Sequence, residues 1–179
     1  MAVTGILGGR FDPPHVGHLA LARASVERFG IELFHVTVVV DAAHKSSEAP
    51  AEHRLAMARL TFAELDATVE LDGHRYTVDA LEAAQYDDPI FVVGADELAA
   101  FPTWKRPERV LELARLGVAT RPGYQPDTTS DRIELFELEP HDVSSTEIRA
   151  RVRRGAPLEG LVVPEVAAYI SKHDLYRQG

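Results

Sequence analysis

Residues 2–40 read AVTGIL, GGRFDPPHVGH, LALARASVERFG and IELFHVTVVV, and the apolar pattern changes period twice along them. Ala2 to Leu7 and Phe34 to Val40 are near-continuous apolar runs rich in β-branched residues, the composition of strands covered on both faces. Between them Leu19, Ala22, Val26 and Phe29 recur at helical spacing, and Gly30 supplies a natural stop. Strand, helix, strand is the unit of a parallel sheet. The same alternation continues outward, with strands expected over Ile90 to Val93 and Leu116 to Thr120. Helices are expected over Ala51 to Leu65, Val78 to Gln85 and Pro107 to Ala114. The predicted class is α/β, a Rossmann-like doubly wound, mostly parallel sheet with helices on both faces. In such sheets ligands bind beyond the carboxyl ends of the strands, so motifs should be sought there.

The bulk numbers bound the partners. With 179 residues, one domain over 1–179 is expected, its C-terminal part helical from about residue 144. Apolar residues at 45% and charged residues at 26% suit an ordinary globular chain, and no apolar run reaches the ~18–20 residues of a membrane span. Met1-Ala2-Val3-Thr4 lacks the basic region of a signal peptide, and a cytoplasmic setting is expected. The chain has no cysteine, so thiol catalysis, thiolate metal sites and disulfides are excluded. A net charge of −9 argues against a broad nucleic-acid surface. Any polyanion must therefore be met by a few local cations and helix ends. Oligomeric state is left open, a homo-oligomer among the options.

Two segments carry candidate chemistry. The first strand runs into Gly8-Gly9-Arg10-Phe11-Asp12-Pro13-Pro14-His15-Val16-Gly17-His18. Paired glycines allow close backbone approach and offer amides to phosphate oxygens. His15 and His18, three apart at a helix start, share a face where the helix dipole favours an anion. The plainer reading is a tight strand–helix turn with two surface histidines. Zinc is a poorer one, since no third ligand is evident. The second segment is Val143-Ser144-Ser145-Thr146-Glu147-Ile148-Arg149. Ser144 to Glu147 reads as a capping box. The same helix start offers free amides, hydroxyls and the cation of Arg149 to phosphate.

Together the two motifs resemble those of the nucleotidyltransferase superfamily of adenylyl- and cytidylyltransferases. Within it, the chain is similar over nearly its whole length to the bacterial nicotinate-mononucleotide adenylyltransferases. Supporting stretches are Tyr76-Thr77-Val78-Asp79-Ala80-Leu81, Gly94-Ala95-Asp96-Glu97-Leu98, Phe101-Pro102-Thr103-Trp104 and Arg121-Pro122-Gly123-Tyr124, with the ending from Val163-Pro164-Glu165-Val166 through Tyr169-Ile170 to Leu175-Tyr176-Arg177. The resemblance implies transfer of AMP from ATP to nicotinic acid mononucleotide in NAD biosynthesis, with Mg²⁺ carried by ATP. It implies that Gly8, Gly9, Arg10 and Phe11 line the ATP cleft and that Gly94 and Asp96 hold ribose. His15, His18 and Arg149 become the catalytic set, and Ser144, Ser145 and Thr146 grip the triphosphate. His44, Lys45, Tyr76, Thr77 and Trp104 fall on the acceptor side, the α-helix start at Tyr76 and Thr77 offering amides to the nicotinate carboxylate. Arg10 stands where the family usually has Ser or Thr, and Asp41-Ala42-Ala43 where it often has two prolines.

The implied reaction is in-line attack by the acceptor phosphate on the α-phosphorus of ATP. A phosphate monoester has a second pKa of about 6, so no general base is needed. Catalysis reduces to aligning two polyanions and stabilising the leaving pyrophosphate. Two alternatives remain: an adenylyltransferase for phosphopantetheine or nicotinamide mononucleotide, and a non-catalytic nucleotide-binding regulator. His35, His53, His74 and His141 have no obvious partners, and Arg151, Arg153 and Arg154 read as a solvated helix end.

Overall fold

Strand β1, Thr4–Gly9, is the axis of a six-stranded sheet of order β3-β2-β1-β4-β5-β6. The computed structural model describes residues 2–40, 46–128 and 130–178. The other strands are β2 (Leu33–Val39), β3 (Ala67–Asp72), β4 (Ile90–Gly94), β5 (Arg115–Thr120) and β6 (Ile133–Glu137). All neighbouring strands run parallel. The chain first winds outward from β1 to β3, then returns to the far side of β1 for β4 to β6. Strand order thus reverses between β1 and β4, and the crevice lies beyond their carboxyl ends. That is where the turn from Arg10 to His15 emerges.

Successive side chains of β1 feed opposite faces of the sheet. Leu7 joins the core formed with α1 (Val16–Phe29) and α2 (Ala51–Thr61), through Leu19, Ala22 and Ala58. Ile6 joins the core formed with α3 (Thr77–Ala84) and α5 (Pro107–Leu113), through Val78, Leu81 and Val110. Burying each such Leu, Ile or Val contributes about 1.5–3 kcal/mol. Both faces are therefore covered, which is why the central strands read as unbroken apolar runs. A third cluster seats α6 (Ser145–Arg153) and α7 (Pro164–Lys172) on α2, through Met57, Ile148, Val166 and Ile170. Helix α1 ends as the sequence suggests, with Gly30 left-handed at φ 61°.

The boundaries differ from the sequence expectation in instructive places. β1 starts two residues later than expected and continues through Gly8 and Gly9, which pair in register with Thr37 and Val38. The glycines are strand residues, not loop residues. α2 stops at Thr61 rather than Leu65, because Phe62 turns its ring into the core and is 1% exposed. β3 and β6 are the two edges of the sheet, and the short helix α4 (Ala95–Ala100) with the 3₁₀ turn Phe101–Thr103 follows β4 directly. Among the described residues no helix is long and apolar enough to cross a membrane.

Gly117 on β5 shows how closely α1 lies on the sheet. A Cβ there would sit 2.7 Å from the Phe29 ring and 3.0 Å from Ile90 Cγ2. Gly117→Ala is expected to overpack this contact at a cost of about 1–3 kcal/mol. For a chain of this size that lowers Tm by roughly 2–4 °C per kcal/mol. An unchanged melting curve would show that the α1–β5 contact has room to relax.

Candidate active site

The turn after β1 is built around Phe11. Its φ is 50°, and its ring is almost fully buried, edge-on to Phe62 at 5.6 Å and to His18 at 5.0 Å. Phe11 therefore acts as a floor beneath the histidines. Arg10 donates from Nη1 to the Ser46 carbonyl at 2.7 Å, joining this turn to the segment after β2.

His15 caps α1. Its Nδ1 accepts the Gly17 amide at 3.1 Å, while His18 Nδ1 accepts the His15 amide at 3.1 Å, so the two side chains cap the helix start reciprocally. The rings stack with centroids 3.7 Å apart. Gly17 makes this possible, since a Cβ there would meet the His15 ring at 3.0 Å and Val143 Cγ1 at 3.2 Å. With both Nδ1 atoms accepting, the proton of each neutral ring is assigned to Nε2. Burial holds His15 down to about 4, with a smaller push from His141. Burial, and then His15 itself, hold His18 well below the usual imidazole value. At neutral pH the pair is uncharged, and each ring keeps an Nε2–H donor. The pair thus offers neutral hydrogen-bond donors rather than cations.

Two buried charged side chains fasten the turn to its surroundings. Asp12, 2% exposed, accepts the Glu48 amide at 2.7 Å, the Ala49 amide at 3.1 Å and the Tyr176 hydroxyl at 2.8 Å. Burial and the adjoining Asp12 carboxylate push the Tyr176 phenol far up, so it stays a donor. Arg54 on α2 gives its guanidinium N–H groups to the carbonyls of Ala49, Arg10, Val39 and Val40. Neither role was visible in the sequence. Asp12 sits in a quoted motif, but its partners lie 36, 37 and 164 residues away.

The second motif opens α6 beside the first. Ser144 caps the helix by accepting the Glu147 amide at 3.1 Å. The reciprocal half of the expected capping box does not form, because the Glu147 carboxylate is taken by Arg151 and Arg154. Ser145 Oγ donates to the Pro13 carbonyl at 2.8 Å, and Arg149 Nη1 donates to the Asp12 carbonyl at 2.8 Å. Arg149 Nε also meets Glu48 Oε1 at 2.8 Å, and Arg153 meets the other oxygen of Glu48. Arg153 is thus part of a bridge, not a solvated helix end.

These elements border one cleft of about 1380 Å³. That exceeds the ~300–1,000 Å³ of ordinary small-molecule pockets and has room for two nucleotides. Gly8, Gly9, Arg10, Phe11, His15 and His18 line one end. Gly94 and Asp96, at the N-cap and first turn of α4, also line it. Tyr76 and Thr77 open α3 at the other end, with no side chain capping its amides. Trp104 lines the cleft there while its ring stands edge-on to Phe101 at 5.3 Å and Phe91 at 6.1 Å, so it is half core and half wall. Lys105 Nζ lies 4.7 Å from the Tyr76 ring centroid and pairs with Asp79. Ser145 borders the cleft, whereas Ser144, Thr146 and Arg149 do not. Asp41, Ala42, Ala43, His44 and Lys45 lie outside the described residues. Of the remaining histidines, His141 enters the cleft beside His15, His53 meets the Tyr169 hydroxyl and His74 meets Asp72. No three His, Asp or Glu side chains among the described residues gather as a metal cluster.

Comparison with known proteins agrees on one group. A cytidylyltransferase-like family profile matches residues 6–151. The chain is 37% identical to a protein of Roseiflexus sp. (strain RS-1), covering 98% of both chains. It is also 37% identical to one from Thermus thermophilus, covering 97% of this chain and 98% of that one. Each of those proteins bears the name "Probable nicotinate-nucleotide adenylyltransferase". The fold superposes on Plasmodium falciparum nicotinic acid mononucleotide adenylyltransferase complexed with NaAD, with a TM-score of 0.81 over 98% of both chains. At 18% identity that likeness is one of fold alone.

The histidine arrangement has a pH signature. The folded value of His15 is depressed, so its contribution to stability is present above about 6.5 and is lost as pH falls toward about 4. Tm is expected to drop over that window, and less steeply in His15→Gln. Nitrogen-15 NMR should show His15 neutral at pH 5 with the proton on Nε2. A ring that titrates near 6.5, or carries its proton on Nδ1, would overturn the capping arrangement.

Proposed function

The chain belongs to the cytidylyltransferase-like family and, within it, to the nicotinate-nucleotide adenylyltransferases, and we propose that it carries out their transfer with the cleft residues described above. AMP passes from ATP to nicotinic acid mononucleotide, giving nicotinic acid adenine dinucleotide and pyrophosphate, a step of NAD biosynthesis. The observation that carries this reading is one cleft bordered by the stacked His15–His18 pair at one end and by the α3 start with Trp104 at the other.

ATP is proposed to lie over β1 and β4, its ribose at Gly94 and Asp96 and its phosphates toward His15 and His18. Mg²⁺ is proposed to arrive on the ATP phosphates as part of the substrate. The dianionic phosphate of the acceptor attacks the α-phosphorus in line, and the bond to the pyrophosphate oxygen breaks. His18 donates from Nε2 to an oxygen that gains charge in that step, and His15 holds a second phosphate oxygen. Uncharged donors in a buried setting suit this task, because their dipoles are already oriented and need no counter-ion. Ser144, Ser145, Thr146 and Arg149 are proposed to take the β- and γ-phosphates. Nothing abstracts a proton from the nucleophile. The reaction is proposed to run in the cytoplasm.

The acceptor end supports a carboxylate. The uncapped amides of Thr77 and Val78 lie at the positive end of α3, and Lys105 stands over Tyr76. His44 and Lys45 are proposed to meet the acceptor phosphate.

Pyrophosphate release with ATP and candidate mononucleotides tests the reading. His18→Ala is expected to lower kcat about 10²–10³-fold with little change in ATP affinity. Near-normal kcat would remove His18 from the chemistry. Nicotinate should be preferred over nicotinamide mononucleotide by at least about ten-fold in kcat/KM, since a carboxamide NH₂ facing amide donors costs about 1–3 kcal/mol. Trp104→Ala should weaken both acceptors and leave much of the preference. Equal kcat/KM for the two acceptors in the unaltered protein would sink the assignment of the carboxylate to the α3 start.

A further inference from the structure

Arg149 and Arg153 stand one turn apart on α6, and both end on the single carboxylate of Glu48. Arg149 Nε meets Oε1 at 2.8 Å, and Arg153 Nη2 meets Oε2 at 2.6 Å. The Arg149 side chain is only 14% exposed, while Glu48 at 39% and Arg153 at 33% still meet solvent. The carboxylate is also delivered by a fixed segment, because the Glu48 amide is held by Asp12 Oδ2. Two negatively charged oxygens spanning two guanidinium groups reproduce what a phosphate presents to such a pair. Arg149 is shared between this carboxylate and the Asp12 carbonyl, and it does not border the cleft that Ser145 borders.

We propose that Glu48 is a positioning residue for adenylyl transfer, its carboxylate standing in for phosphate oxygens on Arg149 and Arg153 until a triphosphate displaces it. This rests on the reading of Arg149 as a triphosphate ligand. The exchange replaces one anion by another, so the two cations are never left uncompensated. It also sets a threshold. A tethered carboxylate competes at a high effective concentration. A small free anion that gains only the two arginines loses that competition. ATP wins it because the histidines, the α6 start and the ribose contacts add to the same arginines.

The test is calorimetry with α,β-methylene-ATP, with Mg²⁺ present, and separately with pyrophosphate. The proteins are the unaltered chain, Glu48→Gln, Arg149→Ala and the double variant. Glu48→Gln keeps the side-chain length and the backbone bond to Asp12 while removing the charge. It is expected to bind both probes about 3- to 10-fold more tightly, with a matching fall in the KM for ATP and no matching rise in kcat. A merely structural role would give weaker binding instead. The gain should vanish in the double variant. A gain that persists without Arg149 would trace to general loss of negative charge and overturn the proposal. So would unchanged or weaker binding in Glu48→Gln. Glu48→Ala, which removes the same carboxylate, must give the same sign of effect, and the opposite sign also overturns it. If Arg149→Ala binds ATP normally, the reading of Arg149 itself fails. If Arg149→Ala weakens ATP while Glu48→Gln changes nothing, that reading stands and only the role of Glu48 falls.

Discussion

A carboxylate withdrawn from water must be met by donors on nearly every side, and the site depends on how Asp12 satisfies that requirement. Its oxygens collect two amides from the segment after β2 and a hydroxyl from Tyr176, and its own carbonyl receives Arg149. One residue therefore ties the first turn of the sheet to the segment leading into α2, to α6 and to the C-terminal segment. Arg54 does the complementary work from α2, gathering the main-chain carbonyls of Arg10, Val39, Val40 and Ala49 onto one buried guanidinium. Removing one member of such a network leaves the others unsatisfied, so the loss exceeds a single hydrogen bond. The turn that carries His15 and His18 owes its shape to these contacts as much as to its own glycines and prolines.

The neutral histidines redistribute the electrostatic work. Positive charge at this end comes from α6, whose arginines are already engaged by carboxylates, and from the oriented amides of two helix starts. In a chain of net charge −9, these cations are local and each is already paired with a carboxylate.

Much of the framework was legible because burial on both sides leaves a strong mark. β1, β2, β4 and β5 read as apolar runs since each is sandwiched between neighbours and helices. β3 and β6 have a neighbour on one side only, and β3 alternates in burial from Ala67 to Glu70, so their signal is diluted by polar residues. α4 was lost because six residues following a strand without a break carry no periodicity of their own. In the site, His15, His18 and Ser144 were readable because their partners lie within three residues. Glu48, Arg54 and Tyr176 were not, since nothing local marks a charged or phenolic side chain for a buried role. Their partners become neighbours only when the fold closes. The half-formed capping box makes the same point: Ser144 and Glu147 have the right spacing, but Arg151 and Arg154 outcompete the N-cap amide for the carboxylate.

The Tyr176–Asp12 hydrogen bond joins residues 164 positions apart, which has a consequence during synthesis. At about 5–20 residues per second, roughly 8–33 s separate the emergence of the two ends of that bond. Over this interval a nascent chain can pair β1 with β2 and begin its sheet, yet Asp12 lacks its phenol and the Pro13 and Asp12 carbonyls lack α6. The turn that carries His15 and His18 is therefore fastened well after the strands beneath it have emerged. A chain that has emerged only through β3 would hold the first half of the sheet with Asp12 still lacking its phenol donor.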